Sequence, residues 1–249
     1  MCHAGYAAPV LTPDLPIETE RLHLRPFQPS DLTGLHAYFA DPAAHRYLYS
    51  EAPLDLDGTR EVLARRQQRT ALREQGDAIQ LAVVLRETGQ LVGDVLLCWT
   101  SAEHRQGEIG YLLHPDHWGR GYATEAAQAM LALAFDRCDL HRVVGRLDAR
   151  NTASAQVLTR LGMRREAHLR ENEYVKGEWA DEVIYAMLAR EWQDRRPVAA
   201  PVVPCRARPA GGAAVSRCRR RPSAAAGSAA GRRSSAAARS PARSSSRRG

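Results

Sequence analysis

The sequence predicts an α+β fold, a mixed and mainly antiparallel sheet flanked by helices over about residues 17–193. Three observations carry this prediction. Two pairs of strand-like runs are joined by tight turns, at Glu87-Thr88-Gly89-Gln90 and at Lys176-Gly177-Glu178, and hairpins make antiparallel neighbours. Apolar residues at helical spacing fill intervals between the strands. From Gly107 to Ala126 the string GEIGYLLHPDHWGRGYATEA runs as a strand, a glycine turn and the start of a helix.

Residues 1–16 have no periodicity and read as a loose lead-in. Glu18 to Phe27 reads as a first strand, in which Leu22 and Leu24 alternate with Arg21, His23 and Arg25. Pro26 to Pro29 end it, and Ser30 is expected to cap a helix that reaches about Phe39. A second helical stretch, Asp55 to Gln75, sets Val62 and Leu63 inward and its arginines and glutamines outward. Ala78 to Leu85 and Gln90 to Trp99 form the first hairpin, and Glu108 to Leu113 is the next strand. Ala123, Ala127, Met130, Leu131 and Ala134 recur at helical spacing and should face the sheet, with Met130 as core filler. His141 to Ala149 is a strand, followed by a helix from Asn151 to Leu161 with Gly162 as its stop. Arg164 to Val175 and Trp179 to Leu188 make the last hairpin.

Charge divides the chain. From Pro197 to Gly249 there are twelve Arg and no Lys, Asp or Glu. Removing those twelve from 35 basic residues leaves 23 against 28 acidic, so residues 1–196 carry about −5 and the remainder +12. The 197–249 stretch is dominated by Ala, Arg, Ser, Pro and Gly, has almost nothing to bury, and is expected to be disordered. It could bind nucleic acid, yet it has no aromatic residue to stack on bases, so nucleic acid is expected only through this tail, if at all. Five scattered cysteines without a C-x-x-C argue against zinc and disulfides and suit a reducing compartment. His114 and His117 flank the glycine turn and read as solvated loop histidines rather than metal ligands, and no metal site is expected. No apolar run approaches the roughly 18 residues of a membrane span, and no signal peptide is read at the N-terminus. The expectation is a cytoplasmic protein with no membrane partner, a monomer or a homodimer.

The turn Trp118-Gly119-Arg120-Gly121-Tyr122-Ala123-Thr124 carries the function. Helix N–H groups without intrahelical partners point into such a turn, and glycines let backbone approach a phosphate closely. It is neither a P-loop nor a dinucleotide fingerprint, because neither G-x-x-x-x-G-K-[ST] nor G-x-G-x-x-G is present there. It resembles the acetyl-CoA loop of the GNAT acetyltransferase superfamily, Q/R-x-x-G-x-G/A, with Trp118 where Gln or Arg is usual. The longer W-G-R-G-Y-A-T-E-A, and the opening E-T-E-R-L-x-L-R-P-F followed by S-D-L, resemble the RimJ/RimL-type branch, the ribosomal-protein N-acetyltransferases and their relatives. Asn151-Thr-Ala-Ser154, with Gly162-Met163 after it, is similar to a second GNAT motif, Met163 replacing the usual Phe.

The resemblance implies a GNAT-like sheet and acetyl transfer from acetyl-CoA to a primary amine, either a protein N-terminus or a small molecule. It assigns the pyrophosphate to backbone N–H groups of Gly119, Arg120, Gly121, Tyr122, Ala123 and Thr124, beside Trp118. Tyr111, Leu112 and Leu113 would pair with the pantetheine arm through their main chain, with a backbone N–H near Leu113 as oxyanion donor. Glu108 is the first choice for general base; its other reading is a solvated edge residue. The tyrosine often used as the acid is absent, since Leu158 holds its position. In the RimJ/RimL-type branch the role falls on a Ser that maps to Ser154, which could equally touch the cofactor without donating a proton. Asn151 serves as helix cap and cofactor contact, and Tyr111 and Tyr174 are reserve acids. The rival from another class is a nucleic-acid-associated binding protein, acting through its tail beside a degenerate CoA-binding domain.

Overall fold

The computed structural model describes residues 12–50 and 55–195. The expected lead-in, apart from its last residues, and the expected Arg-rich tail lie outside the described residues. Eight strands form one sheet: β1 (Ile17–Glu18), β2 (Leu22–Arg25), β3 (Ala78–Leu85), β4 (Leu91–Ser101), β5 (Gln106–Leu113), β6 (Arg142–Asp148), β7 (Arg164–Val175) and β8 (Glu178–Leu188). Their order is β1-β2-β3-β4-β5-β6-β8-β7, and every neighbouring pair is antiparallel except β5 with β6. The helices are α1 (Leu32–Phe39), α2 (Pro42–His45), α3 (Leu56–Gln68), α4 (Tyr122–Ala132), α5 (Thr152–Arg160) and α6 (Ala189–Asp194). α4 runs on into one π-helical turn, Leu133–Arg137.

Strand alternation distributes the core onto the two faces of the sheet. On β3, Ile79, Leu81 and Val83 join the larger cluster with Ala127, Met130 and Leu131 of α4 and Leu158 of α5. Ala82 and Val84 turn the other way, to Leu35 and Tyr38 of α1 and Leu63 of α3. The helix expected from alanine spacing is therefore amphipathic as read, with Ala123 only half-buried at its start.

Three local expectations give way. The first strand is two, because Thr19 N–H bonds Leu22 O at 3.0 Å and folds β1 back on β2. Ser30 caps nothing: Pro29–Asp31 is a 3-10 turn, in which the Asp31 carboxylate accepts from Gln28 N–H (2.7 Å) and from the Arg25 guanidinium. α3 starts on its Asp55 cap but stops at Gln68, and not all of its arginines face water.

Arg66 is the exception, 6% exposed on the core side of α3. Its Nη1 donates to Asp94 Oδ2 (2.5 Å) and to Tyr38 Oη (2.8 Å), and Tyr38 donates to the same Asp94 oxygen. Gln80 Nε2 donates to Asp94 Oδ1 at 2.8 Å, and the guanidinium lies 4.5 Å from the Phe39 ring centroid. Burial alone would weaken the Arg66 cation, but the Asp94 charge beside it more than compensates. Burial and the same carboxylate hold the Tyr38 phenol well above its ordinary range. This network ties α1 and α3 to β4. Asp94→Ala leaves a buried cation without its carboxylate and should cost about 3–5 kcal/mol by urea denaturation. Replacing both partners, Asp94→Leu with Arg66→Met, should cost clearly less.

Candidate functional site

β5 and β6 pair only from Gln106↔Arg142 to Glu108↔Val144. Beyond Glu108, β5 keeps β4 and β6 keeps β8, so the two strands part and a wedge opens between them. His114 N–H bonds Val92 O at 2.8 Å, which makes Leu113↔Gly93 a pair whose own main-chain groups face away from β4. Alternation gives Tyr111 the same orientation, so both present N–H and C=O to the wedge. Leu112 does not: its main chain is committed to Asp94 on β4, and its half-buried side chain packs on the α1–α3 cluster. The run of three expected edge residues is thus two. Trp118 Nε1 donates to Leu113 O at 2.8 Å, closing that carbonyl and leaving the Leu113 N–H.

At the mouth of the wedge sits the glycine loop. Gly119 (φ +74°) and Gly121 (φ +82°) are left-handed, a conformation that side chains resist, and Gly121 is the N-cap of α4. A Cβ at Gly121 would come within 3.3 Å of Arg21 Nη2. The N–H groups of Gly119 through Thr124 find no acceptor among the described residues. Thr124 Oγ1 is also buried there with no hydrogen-bond partner. Donors without acceptors around a turn that a Cβ would crowd fit a phosphate-bearing group. Trp118 is half-exposed beside the loop. His117 is not the solvated loop residue expected: packed between the His114 and Tyr122 rings it is buried, with Nδ1 unpartnered, and burial, aided by Arg120 and His114, holds its imidazole below the usual range.

A brace that the sequence did not reveal fixes this loop. Arg21 Nη1 donates to Arg120 O (2.9 Å), and its guanidinium lies 4.8 Å from the Tyr122 ring centroid. Glu125, in the first turn of α4, accepts from Thr19 Oγ1 (2.6 Å), Arg21 N–H (2.8 Å) and Arg21 Nε (2.7 Å). The residue types were visible; their pairing across 104 positions was not.

The proton-handling groups gather around the wedge. Glu108 occupies its vertex, 3.6 Å from Arg146 Nε. Burial raises its carboxyl above the ordinary range, Arg146 opposes this, and Glu182 adds to it. Glu182, only 2% exposed, accepts from Arg146 Nη1 (3.1 Å) and Asn172 Nδ2 (3.2 Å). Neither Arg146 nor Glu182 stood out in the sequence, where Glu182 looked like one more polar strand position. Asn151 caps α5, its Oδ1 accepting from Ser154 N–H at 3.1 Å. Tyr111 donates to Ser154 O at 3.0 Å, which props the start of α5 against β5. Burial keeps the Tyr111 phenol far above its ordinary range, hence a neutral donor. Tyr174 stands apart near the β7–β8 turn, 63% exposed and packed edge-on to Trp179.

A sequence family described as the acetyltransferase (GNAT) domain matches residues 21–164. The chain belongs to the GNAT family. It is 30% identical over 174 residues to the uncharacterized N-acetyltransferase p20 of Bacillus licheniformis, covering 70% of this chain and 96% of that protein. It is 32% identical over 177 residues to the uncharacterized N-acetyltransferase YnaD of Bacillus subtilis, covering 71% and 98%. A GNAT-family acetyltransferase structure from Bacillus anthracis superposes with a TM-score of 0.63 at 31% identity, covering 70% of this chain and 99% of that one. The GNAT chain described here is an N-acetyltransferase, and its mixed sheet is the family's.

The brace makes a testable statement about pH. Burial pushes Glu125 up, but the bonds from Thr19 and Arg21 outweigh it and hold the carboxyl below its ordinary value of 4.5. A depressed carboxyl stabilises the fold above its unfolded pKa, and that share is lost as pH falls through the folded one. Glu125→Gln should therefore lower Tm at pH 7 and lose less than the wild type on acidification towards pH 3, followed by thermal melts.

Proposed function

We propose that this GNAT enzyme transfers the acetyl group of acetyl-CoA directly to a primary amine, with Glu108 as general base. The observation that carries the reading is the parting of β5 and β6 just past Glu108, opposite a loop of N–H donors without acceptors. The N–H groups of Gly119, Arg120, Gly121, Tyr122, Ala123 and Thr124 would hold the pyrophosphate, aided by the positive end of α4. Trp118 flanks them. Tyr111 would pair with the pantetheine arm through its main chain as an added strand, and Asn151 and Ser154 would line its other side. Bound there, the cofactor supplies an activated acetyl thioester.

The residues then divide the proton work. Glu108 takes a proton from the acceptor's ammonium, so that the neutral nitrogen can bond to the acetyl carbon as the carbon–sulfur bond breaks. The Leu113 N–H donates to the acetyl oxygen as charge grows on it, an interaction worth about 3 kcal/mol where measured in other enzymes. Ser154 Oγ–H gives its proton to the departing sulfur and is replenished by the second proton that the acylated nitrogen sheds, and Tyr111 fixes Ser154 by bonding its carbonyl. The open choice among acceptors, a protein N-terminus or a small amine, is narrowed only by relatedness. The Escherichia coli [ribosomal protein uS5]-alanine N-acetyltransferase is 26% identical over 88 residues, 35% of this chain and 45% of that protein. That partial likeness supports the RimJ/RimL-type branch.

Because burial raises Glu108, its base form is lost at a higher pH than an ordinary carboxylate's, and kcat/KM should fall as pH drops through that value. Glu108→Gln should lower kcat by roughly 10²–10⁴-fold and flatten this acid limb. Arg146→Gln removes the opposing cation and should move the limb to higher pH. An unaltered limb in both variants would assign the proton transfer to another group.

A further inference from the structure

We propose that the acceptor amine carries an anionic group, a carboxylate or a phosphate, which seats on Arg69, one residue past the end of α3, and on Arg65 of that helix. This rests on the reading that places the amine at Glu108, and it names the class of acceptor that such a site selects.

α3 has two stripes. Thr59, Leu63 and Arg66 face the core, whereas Gly58, Val62 and Arg65, at i, i+4 and i+7, line a cavity of about 390 Å³ together with Arg69 at the helix's C-cap. Phe39 and Gln80 also line it, and no Asp or Glu is among its described lining residues. Arg66 reaches the cavity too, but its charge is already met by Asp94. Arg69 is different. Its Nη1 donates to Gln80 Oε1 (2.9 Å), and Gln80 is itself anchored on Asp94, so the guanidinium is held in place by a neutral partner. No carboxylate pairs with Arg69 among the described residues, and Arg65 has only Glu61, at 4.0 Å on the exposed side of the helix. Arg69, and Arg65 on its more exposed rim, thus line a cavity whose other described walls are Phe39, Ser50, Gly58, Val62, Gln80 and the already paired Arg66. Like charges gathered this way are relieved by an anion, and Arg offers it a planar fork.

The sheet register connects this cavity to the wedge. Cross-strand partners run Gln80↔Leu96↔Gly110 and Ala78↔Cys98↔Glu108, which puts Gln80 and Glu108 on one face, two strands and two residues apart. Their backbones are then about 10–12 Å from each other. Cys98 lies between, and its thiol, raised chiefly by burial, is pushed further by Glu108 and pulled back by Arg69, so both charges reach it. Long side chains extend inward from each end, which leaves room for a short apolar spacer between amine and anion. The acidic groups on the far side do not compete for a second cation: Glu182 is paired with Arg146, and Asp148 with Arg150 at 2.6 Å.

The test compares four amines of one chain length: aminocaproate, aminohexyl phosphate, neutral-ended hexylamine and hexamethylenediamine. Each is assayed for kcat/KM with the full chain, its Arg69→Gln variant and its Arg65→Gln variant. Calorimetry with N-acetyl-aminocaproate and N-hexylacetamide reads the same preference without turnover. The expected result is that an anionic amine exceeds hexylamine by about tenfold or more in kcat/KM, the worth of one charge-assisted hydrogen bond, and that the ratio collapses towards one in Arg69→Gln. Whether carboxylate or phosphate does better identifies the source of the anion. Carboxylate-dependent binding that Arg69→Gln abolishes, with no amine acetylated, would uphold the subsite and sink the role given to Glu108. A wild type that prefers the diamine, or an anionic preference unchanged in both variants, would overturn the proposal.

Discussion

The structure depends on one interrupted pairing. β5 and β6 make the only parallel contact among the described strands, and it lasts three residue pairs. Two contacts are placed to keep the strands apart beyond it. Tyr111 reaches from β5 to Ser154 O at the head of α5, and Leu158 of the same helix packs so tightly on Gly145 of β6 that a Cβ there would lie 2.8 Å from it. A sheet that closed fully would satisfy the Tyr111 and Leu113 main chain internally and present no edge. Left open, it exposes hydrogen-bonding groups that a ligand can complete as a strand would.

Around that opening the charges are arranged by side. Glu108 and the Arg146–Glu182 pair sit at the vertex, with Arg65 and Arg69 two strands away on the same face. The glycine loop, its donors free, lies at the mouth and is stiffened from outside by Arg21 and Glu125. On the proposed reading, the acceptor's anion is held on the α3 side of the sheet and the cofactor's pyrophosphate at the mouth, and the two substrates meet in the wedge. The buried Arg66–Asp94–Tyr38 network has a structural part in this, since it anchors α3, which carries Arg65 and ends at Arg69.

Much of this was legible in the residues. Glycines 119 and 121 announced a turn open to close approach, the hairpin turns announced antiparallel strands, and Asn151 announced a helix start. What escaped reading depended on partners distant in sequence. Arg66 looks solvent-facing until Asp94, 28 residues on, takes its charge. Leu112 looks like an edge residue until the register with β4 sets which main-chain groups face the wedge. Ser30 looks like a cap because its type fits, but Arg25 fixes Asp31 and a 3-10 turn forms instead. α2 carried a signal that went unused, Asp41 before Pro42, where Asp41 Oδ1 accepts from Ala43 N–H at 2.7 Å.

The central claim is that the loop from Gly119 to Thr124 holds the pyrophosphate of acetyl-CoA. Its most direct test is calorimetric titration of acetyl-CoA into the wild type and into Gly121→Glu, with circular dichroism confirming that both are folded. The substitution sets a carboxylate and a strained backbone where the phosphates belong, and like charges so placed cost several kcal/mol. The account predicts saturable binding to the wild type and none measurable to the variant. Equal affinities in the two proteins, or a folded wild type that binds no acetyl-CoA, would contradict it.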